Sequence, residues 1–239
     1  MGGVYHIALT VALLAGCKRP PRSAPQGAAD RVAQVRAGIL AEDAERGGEP
    51  RRAVEAALAE RLATAERALA GADPAAAGRA AAELEAAYLA TTLDSSDARQ
   101  QPGEWTADDG RDVLGAPGVD DKLRAWSTHP RGFIKFAVVG TPRGLAFRVG
   151  SASVRHVDLA GGSALTAGIL RVELEPGARP LVKELENTSG GFRPGPLRNR
   201  IARVALKNAG YAAPELVVYD NPTGDYATSR LAPDSGMHK

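Results

Sequence analysis

Three side chains in the C-terminal half could, by type, form a nucleophilic centre: His156 as base, Asp158 as its orienting acid and Ser189 as nucleophile. Such chemistry needs a hydroxyl within reach of an imidazole whose other nitrogen is held by a carboxylate. His156 and Asp158 stand two apart and on strand geometry would share a face; Ser153–Val157 reads as a strand. The Gly-x-Ser-x-Gly turn that presents many hydrolase serines is absent: Ser189 opens the run Ser189-Gly190-Gly191-Phe192-Arg193-Pro194. The same residues also have a purely architectural reading. Gly161-Gly162 and Gly190-Gly191 would be turns needing positive φ, Phe192 a core plug, and Arg193 the residue that positions a following helix.

A second set points to binding instead. Pro196–Ala209 has helical periodicity, with Leu197, Ile201, Val204 and Ala205 toward a core and Arg198, Arg200, Arg203 and Lys207 on the other face. The surrounding stretch 131–220 has 13 basic against 7 acidic residues, net +6, in a chain of net +2. Residues 28–92 are net −3 and 93–130 net −4. Such a basic module attracts anionic partners at long range. Metal chemistry finds little support. Cys17 is the single cysteine and His129 is far in sequence from His156. Asp108, Asp109, Asp112, Asp120 and Asp121 lack the alternating spacing and closing Glu of a calcium loop. No metal, no cofactor and no nucleic-acid partner is expected.

The elements that must position these residues are readable in outline. The chain has 239 residues, 44% hydrophobic and 24% charged, enough for one or two domains with real cores. Only 5% are aromatic, so the core rests on Ala, Leu and Val. Residues 29–93 repeat at helical spacing: Val32, Val35 and Ile39; then Val54, Leu58, Leu62, Ala65 and Leu69; then Ala77, Ala81, Leu84 and Tyr88. Gly47-Gly48-Glu49-Pro50 separates the first helix from the second, and Gly71 ends the second. Asp73-Pro74 starts the third with a cap and a first-turn proline. Residues 94–130 read as a linker with a short helix over Val119–Trp126, Leu123 and Trp126 facing the module.

From 131 the pattern turns to strands. Phe133–Val139, a turn at Gly140–Gly144, and Leu145–Val149 form a hairpin. Ile169–Leu174 and Leu181–Leu185 form another across Glu175–Arg179, and Leu216–Tyr219 is the last strand. The expected fold is α+β: an Ala-rich helical segment, then a small antiparallel β-sheet module with one packed helix. Residues 221–239 lack apolar periodicity and read as a mobile tail.

The N-terminus resembles a bacterial lipoprotein signal peptide. Met1–Gly16 has no Asp, Glu, Lys or Arg, and its apolar run Val4–Ala15 is too short to span a bilayer. It ends in Leu14-Ala15-Gly16-Cys17, small residues before a thiol that can take a diacylglyceryl group. No Lys or Arg lies ahead of the apolar run, where signal peptides usually carry one. The resemblance implies removal of residues 1–16, lipidation at Cys17, a tether over 17–28, and anchoring in a bacterial cell envelope, facing the periplasm or the surface. The tether carries Lys18, Arg19 and Arg22, which favour anionic headgroups.

A second resemblance covers about 150–220. His156-Val157-Asp158-Leu159-Ala160-Gly161-Gly162, Thr166-Ala167-Gly168, Ser189–Pro194 and a helix closing at Gly210 resemble the C-terminal region of plant IQ-motif calmodulin-binding proteins and related bacterial toxin-associated modules. Their pattern has two serines where Val157 and Asp158 stand, and His-Tyr where Gly191 and Phe192 stand. No IQ motif is visible, so calmodulin binding is not implied. The expected function is a membrane-anchored envelope lipoprotein presenting a basic, non-catalytic binding module to anionic lipid, an envelope polyanion or a protein partner. The alternative is a hydrolase or toxin-like effector using His156, Asp158 and Ser189.

Overall fold

A computed structural model of the chain describes residues 27–43, 52–95, 105–128 and 131–232. Cys17 and its flanks, His129, and residues 233–239 lie outside the described residues. The chain divides between Thr91 and Thr92 into two compact units.

The first unit contains three helices, α1 (Ala28–Asp43), α2 (Arg52–Ala70) and α3 (Pro74–Ala90). Alanine favours the helix because it has no side-chain freedom to lose. Most of the expected stripe positions are buried: Val32 and Val35 in α1, Leu58 and Ala65 in α2, Ala77, Ala81, Leu84 and Tyr88 in α3, while Ile39, Leu62 and Leu69 are half-buried. Asp73 caps α3 by accepting from the Ala75 N–H at 2.8 Å. Backbone N–H groups of Ala76 and then Ala75 hold that carboxyl below its ordinary range. The link from Ala70 to Pro74 is too short for anything but an antiparallel hairpin of α2 and α3. At the far end of α3, the buried Tyr88 hydroxyl donates to Glu42 at 2.6 Å.

The second unit is a six-stranded sheet in the order β1-β3-β2-β4-β5-β6. Its strands are β1 (Arg111–Val113), β2 (Ile134–Thr141), β3 (Gly144–Gly150), β4 (Thr166–Glu173), β5 (Leu181–Glu186) and β6 (Ala212–Tyr219). Its helices are α4 (Val119–Ser127), α5 (His156–Ala160) and α6 (Asn199–Asn208), with a 3₁₀ turn at Pro196–Arg198 leading into α6. The fold is α+β, as expected.

Several details differ from the expectation. The sheet is mixed: β5 and β6 pair in parallel, because α6 carries the chain from one end of β5 back to the matching end of β6. The stretch read as a linker supplies the edge strand β1, paired antiparallel with β3. Within α4, Val119, Leu123 and Trp126 are buried, in line with the expected inward face. Ser153–Val157 is not a strand, since the chain turns at Val154 and begins α5 at His156. Residues 221–232 are not a loose tail either. Asn221, Tyr226, Leu231 and Ala232 are buried, and a 3₁₀ turn at Tyr226–Thr228 packs beside Phe133.

Register places the important side chains. Lys135 of β2 sits opposite Ile169 of β4, Ile169 opposite Glu186 of β5, and Glu186 opposite Tyr219 of β6. Directly paired residues share a face, so these four form one row across the sheet. One part of this face, with Ala137, Val139 and Ala167, packs against Leu159 and Ala160 of α5 and Phe192. Another, with Phe133 and Ile169, packs against Tyr226, Leu231 and Ala232. Gly168 of β4 is a glycine of necessity, since a Cβ there would stand 2.0 Å from the Glu186 carbonyl oxygen and 2.7 Å from the Phe136 ring.

Candidate functional site

The three residues of the possible nucleophilic centre are separated by their partners. His156 is buried at the start of α5, and its Nε2 lies 2.8 Å from the Gly168 carbonyl oxygen. A carbonyl only accepts, so Nε2 carries the proton and donates it. Burial, reinforced by the nearby Lys135 charge, pushes the imidazole down to about 3, and the ring is neutral at physiological pH. Because α5 is helical, Asp158 lies about 200° around the axis from His156. Its carboxylate pairs with the Arg155 guanidinium instead, at 2.8 and 2.7 Å.

Ser189 is fully buried in a turn. Its Oγ accepts from the Phe192 N–H at 3.3 Å, its own N–H donates to Gly224 O at 2.8 Å, and its carbonyl accepts from Arg193 N–H at 2.8 Å. Imidazole, carboxylate and hydroxyl thus each have a different local partner, and no relay joins them. The Ser189–Pro194 run also bends differently from its expected geometry. The left-handed position is Arg193, with φ 40°, while Gly161 and Gly162 do take positive φ. Arg193 is held there by Asp225 at 3.2 Å and by the Gly190 carbonyl at 3.2 Å. Phe192 is fully buried in the core, as its plug reading requires.

The basic helix face is narrower than its sequence pattern. Arg203 and Lys207 are exposed on α6, a little over one turn apart, and Arg200 beside them is half-buried. Arg198 does not belong with them: it is fully buried and donates to the Leu165 carbonyl at 2.8 Å. The reason is angular. At about 100° per residue, positions 200, 203 and 207 fall within a 60° arc, whereas 198 falls among Ile201, Ala202 and Ala205. Much of the positive charge elsewhere in the unit is matched. Arg171 faces Glu184, Arg179 faces Asp120 and Lys183 faces Glu173 at 3.7, 3.5 and 2.9 Å. Arg203 and Lys207 form no ion pair with any described residue.

The aspartates are likewise dispersed. Asp108 closes the turn before β1 by accepting from Gly110 N–H at 2.8 Å, Asp112 pairs with Lys122 at 2.9 Å, and Asp120 accepts from the Tyr211 hydroxyl at 2.8 Å. They converge on no common point.

A cluster that the sequence reading missed lies on the sheet face between α5 and the C-terminal segment. Lys135 keeps only 6% of its surface and its ammonium has no hydrogen-bond or carboxylate partner among the described residues. Burial, then the Arg131 charge, pushes its amine down to about 8. The His156 and Tyr226 rings lie 6.4 Å apart, and Phe133 and Tyr226 6.3 Å apart. The Tyr226 hydroxyl is buried and unpartnered, and burial pushes its acidity well above the ordinary phenol value. Glu186, the acid in the same row, is taken: it accepts from Ser229 Oγ at 2.6 Å and from the N–H groups of Arg230 and Leu231 at 2.9 and 3.2 Å. Lys135 was legible in principle, because strict alternation puts it in phase with Phe133, Ala137 and Val139. Tyr226 stood in the presumed tail and gave no signal.

No family model matches the chain, and no curated protein or solved structure matches it.

Proposed function

We propose that this protein is a lipoprotein of a bacterial cell envelope, anchored through Cys17, whose β-rich unit binds an anionic surface or partner without catalysing a reaction. The observation that carries the binding half is the α6 face. Arg203 and Lys207 stand exposed there without a described counter-charge, on a helix whose opposite side is committed to the core. Two unneutralised cations on one face are free to attract phosphate or carboxylate groups, screened over ~8 Å at physiological salt. The non-catalytic half is supported by the separate commitments of His156, Asp158 and Ser189. The anchoring half rests on Leu14-Ala15-Gly16-Cys17 and the basic tether after it.

Two measurements test it. Metabolic labelling with a fatty-acid probe should mark the wild-type chain and not Cys17→Ser; equal label in both refutes the anchor. Flotation of the full chain with vesicles should show stronger association with anionic than with neutral lipid, weakened by salt. The double variant Arg203→Gln, Lys207→Gln should lower that association several-fold with unchanged tryptophan fluorescence. Undiminished association would refute the assigned face.

A further inference from the structure

We infer that Lys135 and Tyr226 form a binding site for the carboxylate of a small monocarboxylic acid, separate from the α6 face and independent of any role for it. Both side chains are more than nine-tenths buried, yet the Lys135 amine and the Tyr226 hydroxyl donate to nothing among the described residues. Buried donors without acceptors are rare in folded proteins, and each needs a reason. Here the Tyr226 hydroxyl is such a donor, and the Lys135 amine, on a residue only 6% exposed and without a partner among the described residues, stands in the same neighbourhood, joined by the His156 ring, which is 6.4 Å from that of Tyr226 and close enough to Lys135 to feel its charge.

The charges around them lean one way. Arg131 acts on both Lys135 and Tyr226 and adds positive potential. His156 is neutral and its Nε2–H is spent on Gly168. Glu186 shares the row but is engaged by three donors of the C-terminal segment, and Asp225 is paired with Arg193. Among the described residues the surroundings thus supply donors and positive charge, but no free acid. A carboxylate brings two acceptor oxygens and a single negative charge, which suits one ammonium and one hydroxyl. The apolar residues packed in one cluster with Tyr226 include Phe133, Ala152, Ile169 and Leu231, which suit a short apolar tail.

The test follows the Lys135 side chain by NMR in the full chain labelled with ¹³C-lysine, its signal identified by its loss in Lys135→Met. Acetate, butyrate, inorganic phosphate and chloride are titrated at matched ionic strength. Acetate and butyrate should shift the Lys135 signal saturably. They should raise its titration midpoint by about one pH unit, which corresponds to tenfold tighter binding to the protonated amine. The signals of Lys183 and Lys207 should stay unsaturated. Tyr226→Phe, which keeps the ring and removes the hydroxyl, should weaken the carboxylate effect about tenfold while leaving the tryptophan emission of the fold in place. The inference is overturned if Lys135 does not respond, if chloride or phosphate acts as strongly as the carboxylates, or if Tyr226→Phe titrates like the wild type.

Discussion

Replacing Lys135 by Met should stabilise the β-rich unit at neutral pH and have little effect near pH 10.5. The folded state holds this amine at about 8, against an ordinary value of 10.5 that the unfolded chain should keep. Below pH 8 both states carry the proton, but the folded state carries it largely out of water, near the Arg131 charge and without a partner among the described residues. At about 1.4 kcal/mol per pKa unit, that mismatch costs about 3 kcal/mol. Between pH 8 and 10.5 the unfolded chain binds more protons than the folded one, so the cost shrinks as pH rises. Above 10.5 the amine is neutral in both states and the cost is gone. Methionine keeps the unbranched shape and similar volume, so the core need not rearrange.

Urea denaturation at half-unit steps from pH 7 to 10.5 measures this directly. The chain has two tryptophans, Trp105 and Trp126, and both belong to the second unit, so their fluorescence reports that unit's unfolding. Comparing variant with wild type at each pH cancels every other group that titrates in the window. The expected gain for Lys135→Met is a few kcal/mol at pH 7, falling toward zero near pH 10.5. A difference that is flat across the range would refute the reasoning, as would a variant less stable at pH 7.

Two further substitutions probe the remaining buried charges. Arg198→Gln should lower stability by roughly 2–4 kcal/mol by urea denaturation, since it disrupts a buried, hydrogen-bonded cation, whereas Arg203→Gln should change it by less than about 0.5 kcal/mol. Glu186→Gln puts an NH2, which cannot accept, opposite at least one of its three donors; it should cost about 1–3 kcal/mol and make residues 221–232 the first site of limited proteolysis.

The sequence made the helices and most strands legible because their signals are local. Ala-rich periodicity, the Asp73-Pro74 start and the apolar run Phe133–Val139 each depend on neighbours within a few residues. What stayed hidden depends on distant ones. Nothing local marks Arg111–Val113 as a strand, because it is held by register with Arg148–Gly150. The residues after Asp220 looked polar and loose, yet Asn221 closes its own turn by accepting from Thr223, Gly224 and Thr228, while its amide donates to Thr188. Arg198 leaves the basic face for a simpler reason: a step of about 100° puts the first of the four basic residues among the core positions. His156 and Asp158 share a face only on strand geometry, and a five-residue helix is enough to turn them apart.

The buried polar side chains of the second unit separate architecture from recognition. Glu186 is met by three donors, Arg198 by a backbone carbonyl, and Asn187 by its own ring of contacts, donating to Pro194 O and Asn221 O at 2.6 and 2.8 Å. Each ties together segments far apart in sequence, so each has a structural reason to be there. His156 meets its burial by staying neutral and donating its one proton. Lys135 and Tyr226 follow neither course. Lys135 ties no described segment to another by a hydrogen bond, and its charge opposes folding at neutral pH. A methionine at 135 and a phenylalanine at 226 would serve packing better. Polar heads that make no described contact for the fold, set near each other on a face whose acid, Glu186, is already engaged, are what a bound carboxylate would explain.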